Sequence, residues 1–365
     1  MRKEVVRGIS LLTLSVGFGL VSQGCARAER PTPSPPSVAS PTASEALPRV
    51  VKGFGISPQG FPLDYSKFAD FLGEVGGMTN GAVMWNGAWR GDVVEGTDAG
   101  SIPTAAASVM KSAHSYDFTP IVVFGWRTGA TLYVEVPANP TNDWTNAEAK
   151  GLFREMLMEF ASTYQPPYMF LGNESDAYYE QNPADYANWI AFYNGAYDAI
   201  KAVSPGTLVG PVFNYEHLAG SGTLNGWTTA YWEALDSHDF TRVDIVGVTV
   251  YPWLNYATAD AVPASYLDPL MARIGSVPIA VTETGWPAEN LGGLNPPGET
   301  SEAAQVTYLA RLSSMLEGKD VRVVNWLHLY PMLDPGGSPV AWKLFGSVSI
   351  RDRSGNARAV YEPWL

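Results

Sequence analysis

Two glutamates of this chain come just after short apolar runs that have the composition of buried β-strands. Glu174 follows Asn173 after the run 168–171, and Glu283 lies two residues past the run 277–281. Cleavage of a glycosidic bond needs one carboxyl group that stays protonated and an ionised one that attacks the anomeric carbon or activates water. Two glutamates in one cleft can supply both, because repulsion and unequal burial separate their pKa values. The pair therefore predicts a glycoside-cleaving site, provided that the fold brings the two residues together.

Eight such apolar runs alternate with stretches in which apolar residues have helical spacing. The candidate strands span residues 50–56, 82–85, 120–124, 168–171, 207–213, 243–250, 277–281 and 321–327. The candidate helices span residues 65–75, 105–115, 147–164, 184–203, 228–237, 264–274 and 302–316. Continuous apolar runs are typical of parallel strands covered by helices, and this alternation predicts an α/β fold, a single (β/α)8 TIM barrel. The carboxyl ends of barrel strands share one mouth, where Glu174 and Glu283 would meet.

A doubly wound open sheet is the main alternative fold for the same alternation. It is disfavoured because no glycine-rich dinucleotide fingerprint follows the first candidate strand. Clusters of Gly and Pro at 291–298 and 334–339 come after the seventh and eighth candidate strands. They predict long loops on the mouth side of a barrel, where substrate contacts are common.

Six of the twelve tryptophans lie at or just past the ends of candidate strands. They are Trp85, Trp89, Trp126, Trp253, Trp286 and Trp326. An indole can stack on the apolar C–H face of a sugar ring, and the amide of Asn173 can hydrogen-bond a sugar hydroxyl. We therefore expect these side chains to contact substrate. The alternative is that the large rings fill the layers of the barrel.

Four further polar residues near strand ends have more than one interpretation. Asp176 is expected in a loop or as a helix cap, while Glu216 and His217 either contact substrate or lie at the surface. His328 is either a core residue or a sugar ligand. The four histidines form no HExxH or paired-ligand arrangement and there is no thiolate cluster, so the sequence predicts no metal and no organic cofactor. The sequence contains no G-x-S-x-G motif, which would indicate a serine hydrolase.

The residues around the two glutamates resemble those of the clan A glycoside hydrolases, a large group of retaining (β/α)8 enzymes. The resemblance lies in the pair Asn173-Glu174 after a fourth strand and in Glu283 after a seventh. It implies that Glu174 is the acid/base and that Glu283 is the nucleophile. It also implies that Tyr251, after the sixth strand, hydrogen-bonds the nucleophile.

Two segments are similar to particular families within that clan. The segment 282–287, Thr-Glu-Thr-Gly-Trp-Pro, is similar to the nucleophile motif of family 17 (β-1,3-glucanases) and of family 53 (endo-β-1,4-galactanases). The segment 244–253 resembles the sixth strand of family 53. The clan usually carries an arginine at the end of strand two, where this chain has Asn86. Arg90 and Arg127 are the nearby basic residues.

The N-terminal segment 1–25 resembles a bacterial lipoprotein signal. Basic residues precede an apolar run, and Cys25, the only cysteine, follows it. In such signals the cysteine is lipidated; the alternative is an ordinary cleaved signal peptide with a chance cysteine, and both imply export. Residues 26–48 are rich in Pro, Ser and Thr and predict an unfolded tether. Residues 49–365 are expected to form the catalytic domain.

The net charge and the motifs together limit the classes of function that the sequence predicts. A net charge of −13 disfavours binding to nucleic acid or anionic lipid, so membrane contact is expected only through the N-terminal lipid. The leading hypothesis is an exported, retaining glycosidase acting on a β-linked polysaccharide or oligosaccharide, such as β-1,4-galactan or a β-glucan. The alternatives are a non-catalytic glycan-binding lipoprotein on a decayed barrel and a transglycosylase that passes the glycosyl group to a sugar acceptor.

Overall fold

The computed structural model describes residues 50–365 apart from residues 95, 97, 130, 223–225, 291–297 and 335–344. The expected signal peptide, the tether and Cys25 lie outside the described residues. So does most of each loop expected after the seventh and eighth strands. No helix of the described part is both long and apolar enough to cross a membrane.

Eight parallel strands form the barrel in chain order. They are β1 (Val51–Gly55), β2 (Gly81–Ala88), β3 (Thr119–Gly125), β4 (Tyr168–Leu171), β5 in two segments (Leu208–Gly210 and Val212–Asn214), β6 (Val246–Val250), β7 (Ile279–Thr284) and β8 (Val321–His328). β1 pairs with both β2 and β8, so the sheet returns to its first strand. This is the (β/α)8 barrel that the sequence predicts.

The fifth strand is interrupted at Pro211, which separates its two segments. The first segment pairs with β4 and the second with β6. Proline has no backbone N–H to donate to a neighbouring strand, which accounts for the break. The Pro211 carbonyl still accepts the N–H of Gly247 at 2.9 Å, so the barrel closes through the interruption.

Helices cover the outside of the barrel. They are α1 (Phe68–Gly76), α2 (Gly91–Val94), α3 (Thr104–Tyr116), α4 (Ala147–Tyr164), α5 (Asp176–Gln181), α6 (Pro183–Val203), α7 (Tyr215–Leu218), α8 (Trp232–Asp236), α9 (Asp268–Ile274), α10 (Glu302–Leu316) and α11 (Tyr361–Trp364). α4 and α10 have the bounds predicted for them, and the side chains of Asn146 and Ser301 cap their first turns. The predicted helix 264–274 is split before α9, which has Pro269 in its first turn. The predicted helix 228–237 is reduced to α8.

The barrel strands have an inner face and a helix-facing face, and a separate apolar cluster lines each. On β2, Ala82 and Met84 belong to the cluster inside the barrel, whereas Val83 and Trp85 belong to the cluster under the helices. Side chains alternate between the two faces along a strand. Asn86 therefore continues the inner row. This alternation decides which residues at the strand ends reach the mouth of the barrel.

Candidate active site

Glu174 lies in a tight turn through which the chain leaves β4. Gly172 and Glu174 both have positive φ, at 80° and 49°. A β-carbon on Gly172 would lie 2.8 Å from the indole nitrogen of Trp126, so the turn requires glycine there. The left-handed conformation of Glu174 costs about 1 kcal/mol. Hydrogen bonds hold its Oε1 in the mouth, from Asn214 Nδ2 at 3.1 Å and from Thr249 Oγ1 at 2.8 Å.

Glu283 lies inside β7, one residue before the end of the strand, so the strand extends beyond the predicted run 277–281. Each of its carboxylate oxygens accepts one hydrogen bond. Asn86 Nδ2 donates to Oε1 at 3.1 Å, and the hydroxyl of Tyr251 donates to Oε2 at 3.0 Å. Asn86 belongs to β2, and Tyr251 directly follows β6. Donors from other parts of the barrel mouth therefore hold this carboxylate in place.

The two glutamates lie at the same mouth of the barrel. Thr249 on β6 is the register partner of Glu283 on β7, and its hydroxyl is the group that donates to Glu174. Because neighbouring strands are about 4.8 Å apart, a single residue of β6 connects the two acids. Glu174 is 4% exposed and Glu283 is 5% exposed. Each acid is thus deeply set but keeps a small accessible area.

The surroundings of the two acids raise their pKa values. Burial raises the pKa of Glu174 to about 8, with a further contribution from the negative charges of Glu283 and Asp176 and an opposing one from its two hydrogen-bond donors. Burial also raises the pKa of Glu283, to about 7, while its bonds from Tyr251 and Asn86 act in the opposite direction. The two carboxyls titrate as a coupled pair, and the bonds to both oxygens of Glu283 favour its ionised form.

The two arginines near the second and third strands form their bonds away from Glu283. Arg90 is paired with Asp92, and Arg127 donates to the backbone carbonyl of Glu174 at 3.3 Å. The strand-two position at which the clan usually has an arginine is occupied by Asn86, which is neutral. A neutral donor orients a carboxylate but lowers its pKa less than a cation would. The raised pKa of Glu283 agrees with this difference.

Three of the tryptophans expected to stack on substrate have no exposed surface. Trp126, Trp286 and Trp326 are fully buried. The ring of Trp126 meets that of Tyr178 edge-on at 5.0 Å, and the indole nitrogen of Trp326 donates to the carbonyl of Val348 at 3.0 Å. A ring enclosed by protein has no face to offer a sugar. This burial favours packing, the alternative that the sequence left open.

The other three tryptophans are also almost enclosed. Trp85 is on the helix-facing side of β2, where it packs edge-on against Phe124 at 5.2 Å. Trp89 is 1% exposed and Trp253 is 3% exposed, with the ring of Phe345 5.3 Å from that of Trp253. Trp85 was expected at the mouth because it lies near a strand end. It points outward because side chains alternate along the strand.

Asn173, expected to bond a sugar hydroxyl, and Tyr251, expected to bond Glu283, differ in their surroundings. Asn173 is 6% exposed, and within the described part of the chain its buried Oδ1 has no hydrogen-bond partner. Like the enclosed indoles, that oxygen has almost no accessible surface. Tyr251 is fully buried and its hydroxyl bonds Glu283, so it contacts the acid, as the resemblance implies, while its ring is enclosed.

Three polar residues with open assignments lie inside the protein and not at its surface. Asp176 and Glu216 have no exposed area and His217 is 2% exposed. Asp176, in the first turn of α5, accepts the backbone N–H of Asn214 at 2.8 Å. Glu216 accepts the backbone N–H of Tyr251 at 2.9 Å, and burial raises its pKa to about 7. Asp176 and Glu216 thus bond Asn214 and Tyr251, which in turn donate to the two acids.

His328 ends β8 at the mouth and is 7% exposed. Burial lowers its pKa to about 4, so the ring is neutral at pH 7. Within the described residues its buried Nδ1 has no hydrogen-bond partner. Because that nitrogen is enclosed, the structure favours the interpretation of His328 as a core residue.

Sequence reasoning missed three residues that contact the acids: Asn86, Asn214 and Thr249. Asn214 carried the same signal as Asn173, an amide at the end of an apolar run. Asn86 likewise follows the apolar run of β2. Thr249 lies within an apolar strand and gave no signal, because only the pairing with β7 shows which acids it lies between. In the described part of the chain, no cluster of His, Cys, Asp or Glu could hold a metal ion.

Comparison with known proteins gives matches at the level of structure. No protein-family model matches the chain, and no curated protein matches it either. A family 39 glycoside hydrolase from Bacteroides cellulosilyticus WH2 is similar, with a TM-score of 0.56 and 18% identity over 87% of this chain and 63% of its own. The exo-beta-1,4-mannosidase Op5Man5 from Opitutaceae bacterium strain TAV5 has a TM-score of 0.61 and 14% identity over 87% of this chain and 58% of its own.

A third similar structure is GH5_18 from Streptomyces cattleya in complex with GlcNAc. It has a TM-score of 0.61 and 15% identity, and the match covers 86% of this chain and 78% of that one. The chain thus spans less than two thirds of the length of the first two structures. At such identities the likeness concerns the fold, and it confirms the (β/α)8 barrel.

Proposed function

We propose that this chain is a retaining glycoside hydrolase that cleaves a β-linked glycan. The observation that carries the proposal is the pair of buried glutamates at one barrel mouth. Each is held by two neutral donors, and burial raises the pKa of each. The similar structures are glycoside hydrolases, and they support the same reaction class. The resemblance to clan A favours the retaining course.

In the proposed mechanism, Glu283 attacks the anomeric carbon and forms a covalent glycosyl ester. Its two oxygens each accept one hydrogen bond, from Asn86 and Tyr251, which orient the carboxylate and leave lone pairs free for attack. Glu174 donates its proton to the leaving oxygen in the same step. The resulting carboxylate of Glu174 then takes a proton from water, which attacks the ester and releases the sugar with its original anomeric configuration.

The substrate class rests on the motifs more than on the geometry. The segment 282–287 is similar to those of β-1,3-glucanases and of endo-β-1,4-galactanases, so β-1,4-galactan and β-glucans are the first polymers to test.

The test is a panel of β-linked polysaccharides treated with the wild type, with Glu283→Gln and with Glu148→Gln. Glu148 is exposed on α4 and serves as a matched control. New reducing ends should form from one polymer with the wild type and the control, and should disappear with Glu283→Gln. Proton NMR of the first product should show the β-anomer. An α-anomer formed first would overturn the retaining course.

Two other functions are outcomes of the same panel. Binding of a polymer without cleavage by the wild type would favour a glycan-binding lipoprotein on a decayed barrel. Products longer than the starting oligosaccharide would favour a transglycosylase, which uses the same covalent ester with a sugar as acceptor. The hydrogen-bonded state of both glutamates argues against decay, because a lost function would not maintain four donors around two buried acids.

We also propose that the protein is exported and anchored by a lipid on Cys25, with residues 26–48 as the tether. The support is the order of basic residues, apolar run and cysteine in the sequence. In cells that make the full chain, the wild type should enter the detergent phase on phase partition. Cys25→Ser should move to the aqueous phase. Equal partition of both proteins would contradict lipidation of Cys25 and favour an ordinary cleaved signal peptide.

A further inference from the structure

A row of charged side chains lies behind Glu174 and is not used by the mechanism above. The centre of this row is His217, on the short helix α7. Its Nδ1 lies 2.6 Å from Asp176 Oδ2, and its Nε2 lies 3.2 Å from Glu180 Oε2. An imidazole that faces an acceptor at both nitrogens can satisfy both only when each nitrogen carries a proton. The arrangement therefore suits the positively charged imidazolium.

The row reaches Glu174 through Asn214. Asp176 Oδ1 accepts the backbone N–H of Asn214 at 2.8 Å, and the side-chain oxygen of Asn214 accepts the backbone N–H of His217 at 3.1 Å. With that oxygen engaged, the amide nitrogen of Asn214 must point the other way. It donates to Glu174 Oε1 at 3.1 Å. The orientation of the proposed acid thus depends on Asp176 and His217.

The ring of His217 is enclosed on its remaining sides. Tyr231 stacks on it, with ring centroids 4.8 Å apart, and donates its hydroxyl to Glu180 at 2.8 Å. Trp227 meets the ring edge-on at 5.1 Å. The side chains of His217 and Asp176 are 3% and 0% exposed, whereas that of Glu180 is 46% exposed. The inner ion pair is therefore shielded from water, and only the outer carboxylate meets solvent.

Two further charged groups act on this row from neighbouring elements. The guanidinium of Arg127, after β3, interacts favourably with Asp176, Glu174 and Glu180. The carboxyl of Glu216, next to His217 in the chain, is affected by the charge of Asp176. Burial lowers the pKa of His217, but the two carboxylates more than offset it, so that the pKa is raised overall.

We propose that His217 is a positioning residue for Glu174, a role that rests on the acid/base function proposed above. The imidazolium cancels the negative charge of Asp176 beside the acid. Its ring also holds Asp176 against the backbone of Asn214, whose amide orients Glu174. The row thus sets both the position of the acid and the electrostatic field in which its proton is held.

The sign of the effect on Glu174 differs between the two members of the ion pair. A negative charge near a carboxyl group raises its pKa, and Asp176 has this effect on Glu174. Replacement of His217 by neutral glutamine leaves Asp176 uncompensated, so the pKa of Glu174 should rise. Replacement of Asp176 by asparagine removes the negative charge, so the pKa of Glu174 should fall. A merely structural role would not give opposite shifts.

The experiment is a carboxyl-carbon NMR titration of protein labelled with carbon-13 at the glutamate side chains. The variants are His217→Gln, Asp176→Asn and the control His114→Gln, which changes an exposed histidine on α3. The Glu174 signal is identified by its loss in Glu174→Gln. We expect its midpoint to move up by about 0.5 pH unit in His217→Gln and down by about 0.5 pH unit in Asp176→Asn. Movement in one direction for both, or none, would overturn the proposal.

Nitrogen-15 NMR of the histidines adds a direct test of the charge on His217. The ring should carry protons on both nitrogens at pH 7, and a neutral ring would overturn the proposal.

If His217→Gln fails to fold, Glu180→Gln replaces it, because this change is at a half-exposed side chain. That variant should lower the pKa of His217 and, once the ring is neutral, shift Glu174 in the same direction as His217→Gln. An unchanged His217 titration would contradict the arrangement.

Activity gives an independent measure where a substrate is found. The alkaline limb of kcat/KM reports the loss of the proton from Glu174, so it should move to higher pH in His217→Gln and to lower pH in Asp176→Asn. If the wild type cleaves none of the polymers, the proposed hydrolase function fails. The NMR titrations still decide the role of His217 in that case, because they require only the folded protein.

Discussion

Glu283 and Glu174 are the same residue type at one barrel mouth, yet their surroundings differ in kind. Glu283 lies within a regular strand, and both of its oxygens accept hydrogen bonds from neutral donors. Glu174 lies in a left-handed turn beyond its strand, and both of its bonds meet a single oxygen, Oε1. The ion pair of Asp176 and His217 lies behind it. Glu283 therefore has a donor to each oxygen, while Glu174 keeps one oxygen without a described donor.

The difference supports the different roles proposed for the two glutamates. A carboxylate with both oxygens bonded by neutral donors is stabilised as an anion, which suits a nucleophile. A carboxyl group with one unbonded oxygen can carry its proton there, which suits an acid. Burial is nearly equal for the two, so it cannot separate them. The pattern of donors does so.

The largest expected effects come from removing each acid in turn. Glu283→Ala should abolish cleavage of every substrate, because no covalent ester can form. Glu174→Ala should reduce cleavage of polysaccharide by about a thousandfold. With a dinitrophenyl glycoside, whose leaving group needs no proton, it should still release one equivalent of phenol in a rapid burst. Stopped-flow absorbance measures the burst. A burst from Glu283→Ala, or none from Glu174→Ala, would reverse or remove the assigned roles.

The next effect in size is expected from Tyr251→Phe. The variant loses the hydroxyl that donates to Glu283 at 3.0 Å, and a hydrogen bond to a charged group contributes about 1.5–3 kcal/mol. We expect kcat/KM to fall roughly 10- to 100-fold and the acid limb of the pH profile to move to higher pH. The control is Tyr197→Phe, which removes a hydroxyl bonded to Asp244 outside the barrel. Equal losses in both variants would indicate a general effect on folding.

The wild-type pH profile should be a narrow bell. Attack requires ionised Glu283, whose pKa is raised to about 7, so activity should fall as the pH drops through that value. Donation requires protonated Glu174, whose pKa is raised to about 8, so activity should fall as the pH rises through it. Initial rates of kcat/KM should decline roughly tenfold per pH unit on either side. A plateau that extends to the ordinary pKa of glutamate would contradict the raised pKa of Glu283.

The smallest effect on activity is expected from Trp326→Phe. The indole is fully buried and its nitrogen bonds the carbonyl of Val348. The change should lower the free energy of unfolding by about 1–3 kcal/mol, measured by urea denaturation, and leave KM unchanged. An increase in KM without loss of stability would restore the sugar contact expected from its position near a strand end.

Much of the fold could be predicted because its signals are local. Apolar runs marked all eight strands, and capped amphipathic segments such as α4 and α10 had the bounds predicted from spacing. The break at Pro211 was not predicted, although proline in a strand is itself a local signal. Strand β7 was predicted to end too early because Glu283 and its neighbours are polar. They are in a strand nonetheless, since the barrel mouth supplies partners for polar groups.

The sequence by itself determined the barrel architecture and the two acids, because apolar periodicity and a carboxylate at a strand end are properties of neighbouring residues. Only the tertiary structure decided which residues serve them. Asn86, Asn214 and Thr249 are far apart in the chain, and the pairing of strands brings them to Glu174 and Glu283. The tertiary structure also decided that Trp85 and Trp326 face the helices, because the inner and outer faces of a strand are defined only when the sheet closes.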